Sequence, residues 1–296
     1  MSWYQMILSG GSSPEPGPTP PEPGPTVEIV PFSTGTDAQI AAMLEAYYND
    51  DITWEDMNWS IGETRTIHLP SFALPSPENG VTDAQDIVVT IIDHDHTDLA
   101  TPINGHTKSC ITVQTKELLS STAGTPIRIY IDGNTEYDIN FTKWANLYMR
   151  TYLNNTFYNN VNSNNIMSLA KLSKHYRHTD YNTSEAEIVT DIIFLPSYPE
   201  VFGTAAFNFY VVTNPVEDTQ FAYYANDDTT RRIKYPNNNG QPAPEGDWNY
   251  QVWFIGSPSS YHEDATGYTW MAVNYNGYAT FGMTAGRQSL APAWAM

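Results

Sequence analysis

The run Asp93-His94-Asp95-His96, with Asp98 just behind it and His106 further on, has the residue types of a metal site. Alternate residues of a strand share a face, so His94 and His96 could point at one metal ion. The spacing fixes no third ligand, however. The alternative is the polar end of a strand that opens into a loop of hydrogen-bonding side chains. The sequence favours this alternative and predicts no metal site.

Other catalytic patterns are missing. There is no Gly-x-Ser-x-Gly elbow, no His-Glu-x-x-His and no phosphate-binding glycine loop. The basic cluster Arg231, Arg232 and Lys234 is interpreted as balancing local acids. The single cysteine, Cys110, lies in an alternating apolar run and is expected to be a small buried residue rather than a nucleophile. We therefore expect no enzyme activity and no cofactor.

The segment from Tyr261 to Met283 favours binding by surface contact. It alternates aromatic residues with Ser, Thr, Asn and Gly, the composition of an antibody-like contact surface. Trp270 and Val273 are expected in the core instead. The predicted ligand-binding residues are Tyr261, His262, Tyr268, Tyr275, Tyr278, Thr280, Phe281, Met283 and Gln288.

Composition excludes several other classes. The 296 residues carry a net charge of −20, which repels the phosphates of nucleic acids. Aromatic residues make up 13% of the chain, too many for a disordered protein. No apolar run approaches the ~18 residues of a membrane span. The start of the chain lacks a basic region, so we expect no signal peptide and synthesis in a cytoplasm.

The N-terminus divides into two short parts. Residues 13–26 are a spacer, because seven prolines between positions 14 and 25 favour an extended polyproline conformation reaching roughly 40 Å. Residues 1–12 are interpreted as an anchor that docks into another protein. The anchor residues are Trp3, Tyr4, Met6, Ile7 and Leu8.

Residues 27–296 are predicted to form an α+β domain with two helices, a mostly antiparallel sheet and long loops. A capping box at Thr36 and Gln39 opens a helix near 37–49, and a second helix is expected near 142–154. Seven Asn between 154 and 165 are expected to break regular structure. The predicted strands are 63–69, a central strand at 87–92, a buried strand at 192–195, and short strands within 250–255, 268–275 and 278–283.

Several phrases resemble, in order and spacing, a phage-associated domain of unknown function with a C-type-lectin-like fold, common in phages and prophages of gut Firmicutes. The phrases are residues 59–65, 92–99, 103–108, 149–154 with 157–158, 193–197 with 200–203, 253–258 and 290–294. The resemblance covers most of 37–296. It implies a virion protein whose C-type-lectin-like head displays a variable surface, and it makes the Asp93 to Asp98 run part of the scaffold.

In relatives whose surface is diversified, the substitutions concentrate in a window just before the closing apolar strand. That window corresponds here to residues 275–288. This sequence has Gly256 where Arg is usual and Phe254 where Trp is usual. The strand motif of calcium-dependent sugar binding is incomplete, because Tyr250 stands in Trp248-Asn249-Tyr250 where that motif has Asp. Calcium is therefore not expected.

The resulting hypothesis is a protein on the virion surface. Residues 1–12 would bind other virion proteins, and the head would bind a bacterial surface glycan or protein without inserting into a membrane. We expect a homo-oligomer, with a trimer as the working guess. One alternative is a head decoration or fibre protein that only stabilises the particle, and another is a glycan-cleaving enzyme with an acidic pair in a cleft.

Overall fold

A computed structural model describes part of the chain, and the statements below concern that part. The described residues are 27–75, 80–122, 125–127, 144, 147–178, 186–203, 219–225, 253–259, 269–273, 279–281 and 290–296. The predicted anchor (1–12) and spacer (13–26) lie outside them.

The first helix, α1, spans Asp37–Tyr48, close to its predicted range. The predicted capping box is present: the Thr36 hydroxyl accepts from the Gln39 backbone N–H, and the Gln39 side chain accepts from the Thr36 N–H. The buried face includes Ile40, Met43 and Leu44, spaced three to four residues apart as an amphipathic helix requires. A short helix, α2, follows at Trp54–Met57.

A four-stranded antiparallel sheet packs against α1. The strands are β1 (Thr64–Leu69), β2 (Gln85–His94), β5 (Ile111–Thr115) and β13 (Ala293–Ala295), in the order β1-β2-β5-β13. The predicted strands at 63–69 and 87–92 are thus confirmed. The second is central, as its nearly continuous β-branched run indicated.

A second four-stranded sheet is built from β3 (Asp98–Ile103), β4 (His106–Lys108), β8 (Ser173–His178) and β9 (Ala186–Asp191), in the order β4-β3-β8-β9. Two smaller sheets complete the described strands. They are β6 (Ser120–Thr122) with β7 (Thr125–Pro126), and β10 (Trp253–Ser259), β11 (Thr269–Val273) and β12 (Ala279–Phe281). Every pairing between the described strands is antiparallel. The predicted α+β class is confirmed, and so are the short C-terminal strands.

The last strand, β13, connects the two large sheets. On one side it pairs with β5, where Trp294 lies opposite Val113. On the other side it forms single bridges with Lys171, just before β8, and with Phe194, shortly after β9. Residues 290–296 are all buried. The segment closing the chain is therefore an interior strand.

Two apolar cores lie on opposite faces of this sheet. Ile91 and Trp294 belong to the larger core, which includes α1, whereas Ile92 and Ala293 belong to the smaller one. Adjacent strand residues point to opposite faces, which explains the division. The smaller core also contains residues of two short helices, α5 (Tyr198–Phe202) and α6 (Ala222–Ala225).

The second major helix differs from its prediction. It runs through α3 (Tyr148–Thr151), a π-helix (Tyr152–Phe157) and α4 (Tyr158–Val161), followed by a 3₁₀ turn at Ile166–Leu169. It therefore begins and ends later than predicted, and the first four of the seven Asn do not break it. Burial of Leu153, Phe157 and Val161 stabilises this run against the turn preference of Asn.

The strand predicted at 192–195 is also wrong. β9 ends at Asp191, and within 192–195 only Phe194 makes a β-bridge. The π-helical Asn154 explains the break, because its Oδ1 accepts from the backbone N–H groups of Ile192 (2.7 Å) and Ile193 (3.0 Å). Those donors are then not available to a ladder. The segment is nevertheless mostly buried, as its apolar composition indicated.

No helix in the described part of the chain is both long and apolar enough to span a bilayer.

Replacing Trp294 tests the role of the closing strand. We expect Trp294→Ala to lower the free energy of unfolding by about 3–5 kcal/mol, because it empties a fully buried site between the sheet and α1. Urea denaturation followed by fluorescence and circular dichroism measures this change. The control is Ile188→Ala at a side chain that is 60% exposed, and it should change stability little. A similar effect of both variants would contradict a central role for β13.

Burial of Cys110 gives a second prediction. Desolvation, with a smaller effect of the Asp95 charge, raises the pKa of the thiol well above its ordinary value. The thiolate is the reactive form, so the folded protein should not react with a disulfide reagent at neutral pH. The same protein in denaturant should react with one equivalent. Rapid reaction of the folded chain would contradict the predicted burial of Cys110.

Candidate functional site

The Asp93–His96 run lies where β2 ends, after a β-bulge between Ile91 and Asp93. Asp93 is buried, and both of its carboxylate oxygens accept backbone hydrogen bonds at 2.8 Å, Oδ1 from His94 and Oδ2 from Ala222. Asp93 thus joins the end of β2 to the first residue of α6. The predicted polar strand end with hydrogen-bonding side chains is confirmed.

The two histidines of this run contact different elements. His94 stacks on Trp54 of α2, with ring centroids 4.4 Å apart and planes 8° from parallel. His96 packs on Phe221, and its Nε2 lies 2.8 Å from the Thr219 carbonyl oxygen. Asp95 between them has a φ of 47°, so the strand alternation that would place both rings on one face is interrupted. Among the residues that the structure describes, no three His, Cys, Asp or Glu side chains are grouped to hold a metal.

Asp95 and His106 pack against the end of α1. The Tyr47 hydroxyl donates to Asp95, and burial together with this contact raises the pKa of Tyr47 well above its ordinary value. His106 packs on the Tyr47 ring at 4.9 Å, and its Nε2 lies 3.1 Å from the Asp50 carboxylate. The polar residues singled out in the sequence therefore hold α1, β2 and the β3–β4 hairpin together.

The segment 219–225 is fixed to the sheet by further polar contacts. The Phe221 N–H donates to the Glu200 carbonyl at 2.8 Å, and the Tyr224 hydroxyl donates to Gln114 on β5. Gln114 in turn donates through Nε2 to the Ala291 carbonyl at 2.9 Å. One buried amide thus holds both α6 and the segment that leads into β13.

An ion pair to the buried Asp191 carboxylate fixes the helical run from α3 to α4 to β9. The Asp191 carboxylate accepts from Arg150 Nε at 2.7 Å and from Trp144 Nε1 at 3.0 Å. Sequence reasoning missed this pair, Gln114 and Asn154. No local pattern marks them, because their partners lie tens of residues away and are brought near only by folding.

Two of the predicted ligand-binding residues, Thr280 and Phe281, lie in the three-stranded sheet. Within β12, the backbone of Thr280 pairs with Ala272, and that of Phe281 pairs with Met271. The other predicted residues lie outside the described part of the chain, as do the anchor residues. They are Tyr261, His262, Tyr268, Tyr275, Tyr278, Met283 and Gln288, and in the anchor Trp3, Tyr4, Met6, Ile7 and Leu8.

The described pairings define the two ends of this sheet. Ser259 pairs with Thr269 at one end, and Val273 pairs with Ala279 at the opposite end.

Replacing Asp93 tests the scaffold role of the Asp93–His96 run. We expect Asp93→Ala to lower the free energy of unfolding by about 1–3 kcal/mol, because it removes the acceptor of the part-buried Ala222 N–H. Thermal and urea denaturation measure the loss, and hydrogen exchange should show faster opening at Ala222. Asp51→Ala, at an exposed acid just after the end of α1, is the control. Unchanged stability in Asp93→Ala would show that the contact is dispensable.

Comparison with known proteins places the chain in a family. No curated protein and no solved structure matches it. The model of a domain of unknown function, DUF6273, matches residues 99–294. This range begins in β3 and ends within β13. It contains β5, the helical run from α3 to α4, the three-stranded sheet and every residue of the smaller core except Ile92. Because the match covers more than half of the sequence, the chain belongs to the DUF6273 family.

Proposed function

We propose that this chain is a phage virion surface protein. Its residues 1–12 anchor it to other virion proteins, residues 13–26 set its reach, and residues 27–296 form a C-type-lectin-like head that binds a bacterial surface glycan or protein. The proposal starts from the resemblance of the ordered phrases along the chain. The structural observation that supports it most is that the window 275–288 comes directly before the buried strand β13.

The scaffold around this window supports a role in display. On its C-terminal side, β13 is hydrogen-bonded on both of its edges, to β5 and to the bridges at Lys171 and Phe194. Within it, β12 pairs with β11. Residues that follow Phe281 therefore connect two fixed strands. Variable segments that carry binding residues are commonly held between rigid elements in this way.

The C-type-lectin-like fold is the finer part of the proposal. It is supported by the α+β class, by antiparallel pairing in all described sheets, and by the two longest helical regions described, α1 and the run from α3 to α4, beside which α2, α5 and α6 are short. It is supported also by a terminal strand inserted beside a central strand of the main sheet.

The chemistry of the window favours recognition by shape and hydrogen bonding. Its tyrosines offer large rigid surfaces at low entropic cost, and its Thr, Asn and Gly residues adapt to a ligand. The window 275–288 has one charged residue, Arg287, so a ligand can cover it without burying many charges. Many copies on one particle would strengthen a weak single contact by avidity.

A particle-stabilising decoration or fibre protein is the second candidate. The proline spacer favours it equally, because a reach of roughly 40 Å also suits a protein that bridges neighbouring virion subunits. The two candidates differ in one respect: only the first requires the window 275–288 to contact a molecule outside the particle.

Binding to host material tests the proposal. Labelled full-length protein is measured on Firmicutes cells and on purified cell-wall glycans. We expect the double variant Tyr275→Ala, Tyr278→Ala to weaken binding at least about tenfold, as removal of aromatic anchors usually does. The matched surface control is Val81→Ala. This side chain is 71% exposed and belongs to the connection between β1 and β2.

Two results would count against host binding. One is no binding of the wild type to any cell or glycan, which would favour the decoration role. The other is equal loss in the double variant and in Val81→Ala. A glycan-cleaving activity would instead appear as release of reducing ends during the same assay.

A further inference from the structure

One face of the second sheet is partly exposed on β8 and β9 although it carries apolar side chains: Leu172 and Ile188 are exposed, and Lys174 and Tyr176 are half-buried. On β8 and β9, Tyr176 pairs with Ile188 and Lys174 pairs with Thr190. Ser173, His175 and Val189, which alternate with them, are buried. We call Leu172, Lys174, Tyr176 and Ile188 the outer face. Leu172 is 47% exposed and Ile188 is 60% exposed.

Such a face is unusual for a sheet that meets water. The solvent side of an antiparallel sheet is normally polar. Here Leu172 and Ile188 are two of the four large exposed apolar residues in the described part of the chain. Neither belongs to either core. Exposed apolar side chains grouped beside polar ones mark interaction sites.

A partner that covers the outer face is favoured over one that adds a strand to the edge of β9. The edge strand offers backbone groups for another strand, but Arg150 Nη2 already donates to the Thr190 carbonyl at 3.0 Å. An incoming strand would have to displace this contact, which belongs to the Arg150–Asp191 ion pair. The side chains of the outer face require no such displacement. Lys174 makes no ion pair in the described part of the chain.

The chain also carries a surface complementary to the outer face. We call Asp50, Asp51, Glu55 and Asp56, at the end of α1 and on α2, the acidic corner. All four are exposed. The stretch from residue 37 to residue 63 has no Lys or Arg. Between the acids lie Ile52 and Trp54, which are half-buried.

We propose that the outer face of one copy of this chain binds the acidic corner of a second copy. Lys174 would pair with the acids, and Leu172 and Ile188 would cover Ile52 and Trp54. Copies with a net charge of −20 repel one another, so contact is favoured where a free cation meets exposed acids. The two surfaces differ, so the contact is head-to-tail and closes into a ring or extends as a filament. This inference does not rest on the proposed function.

Sedimentation of the full-length chain at several concentrations and at two salt concentrations tests the contact. We expect the wild type to self-associate, more strongly at low salt because exposed charges are screened at high salt. Lys174→Glu and Ile188→Asp should each weaken association at least about tenfold. Combining Lys174→Glu with Asp51→Lys should restore part of it. Val81→Asp, on neither surface, should associate like the wild type.

Thermal denaturation of each variant separates loss of contact from loss of folding. The substituted side chains are not in the cores, so the melting temperatures should stay close to that of the wild type. A monomeric wild type at every concentration would overturn the proposal. So would association that is unchanged in Lys174→Glu and Ile188→Asp but lost on deletion of residues 1–12, which would assign assembly to the anchor. Host binding is measured in a separate assay. A failure of the proposed function can therefore be distinguished from a failure of the proposed self-association.

Discussion

The insertion of the last strand beside β5 is the constraint on which the rest of the described structure depends. β13 pairs with β5 on one edge and bridges to Lys171 and Phe194 on the other. It supplies Trp294 to one core and Ala293 to the other. The Tyr48 hydroxyl on α1 donates to the Met296 carbonyl, joining residues 248 positions apart. The cores therefore form completely only after distant parts of the chain meet, a feature associated with slow folding.

Buried or half-buried polar side chains fasten elements that regular ladders do not join. Asp93 holds α6 to the end of β2, Gln114 holds both α6 and the segment before β13, and Asn154 holds the chain that leaves β9. A side-chain oxygen of each residue accepts a hydrogen bond from a group in another element. A buried polar group is costly without such partners, so these residues fix one arrangement of the elements over others.

Residues 37–98, before the DUF6273 match, and residues 99–294, within it, contribute to the same sheet and the same core. The match begins at residue 99, yet β5 lies between β2 and β13 in the main sheet. Residues 37–98 thus supply α1, β1 and β2, and their side chains fill the larger core together with Val113 and Trp294. Without them one face of the matched region would expose its apolar residues. In this chain the family domain is completed by the preceding 60 or so residues, as the shared burial requires.

The sequence by itself determined the elements whose signals are local. The capping box at Thr36 began α1, the β-branched run at 87–92 formed the central strand, and the alternation around Cys110 indicated burial. Tertiary structure decided what depended on distant partners. Asn154 stayed helical because it binds the backbone after β9, and His94 and His96 separated because a bulge and the positive φ of Asp95 redirect the chain. Local propensities amount to tenths of a kcal/mol per residue, so burial and long-range hydrogen bonds override them.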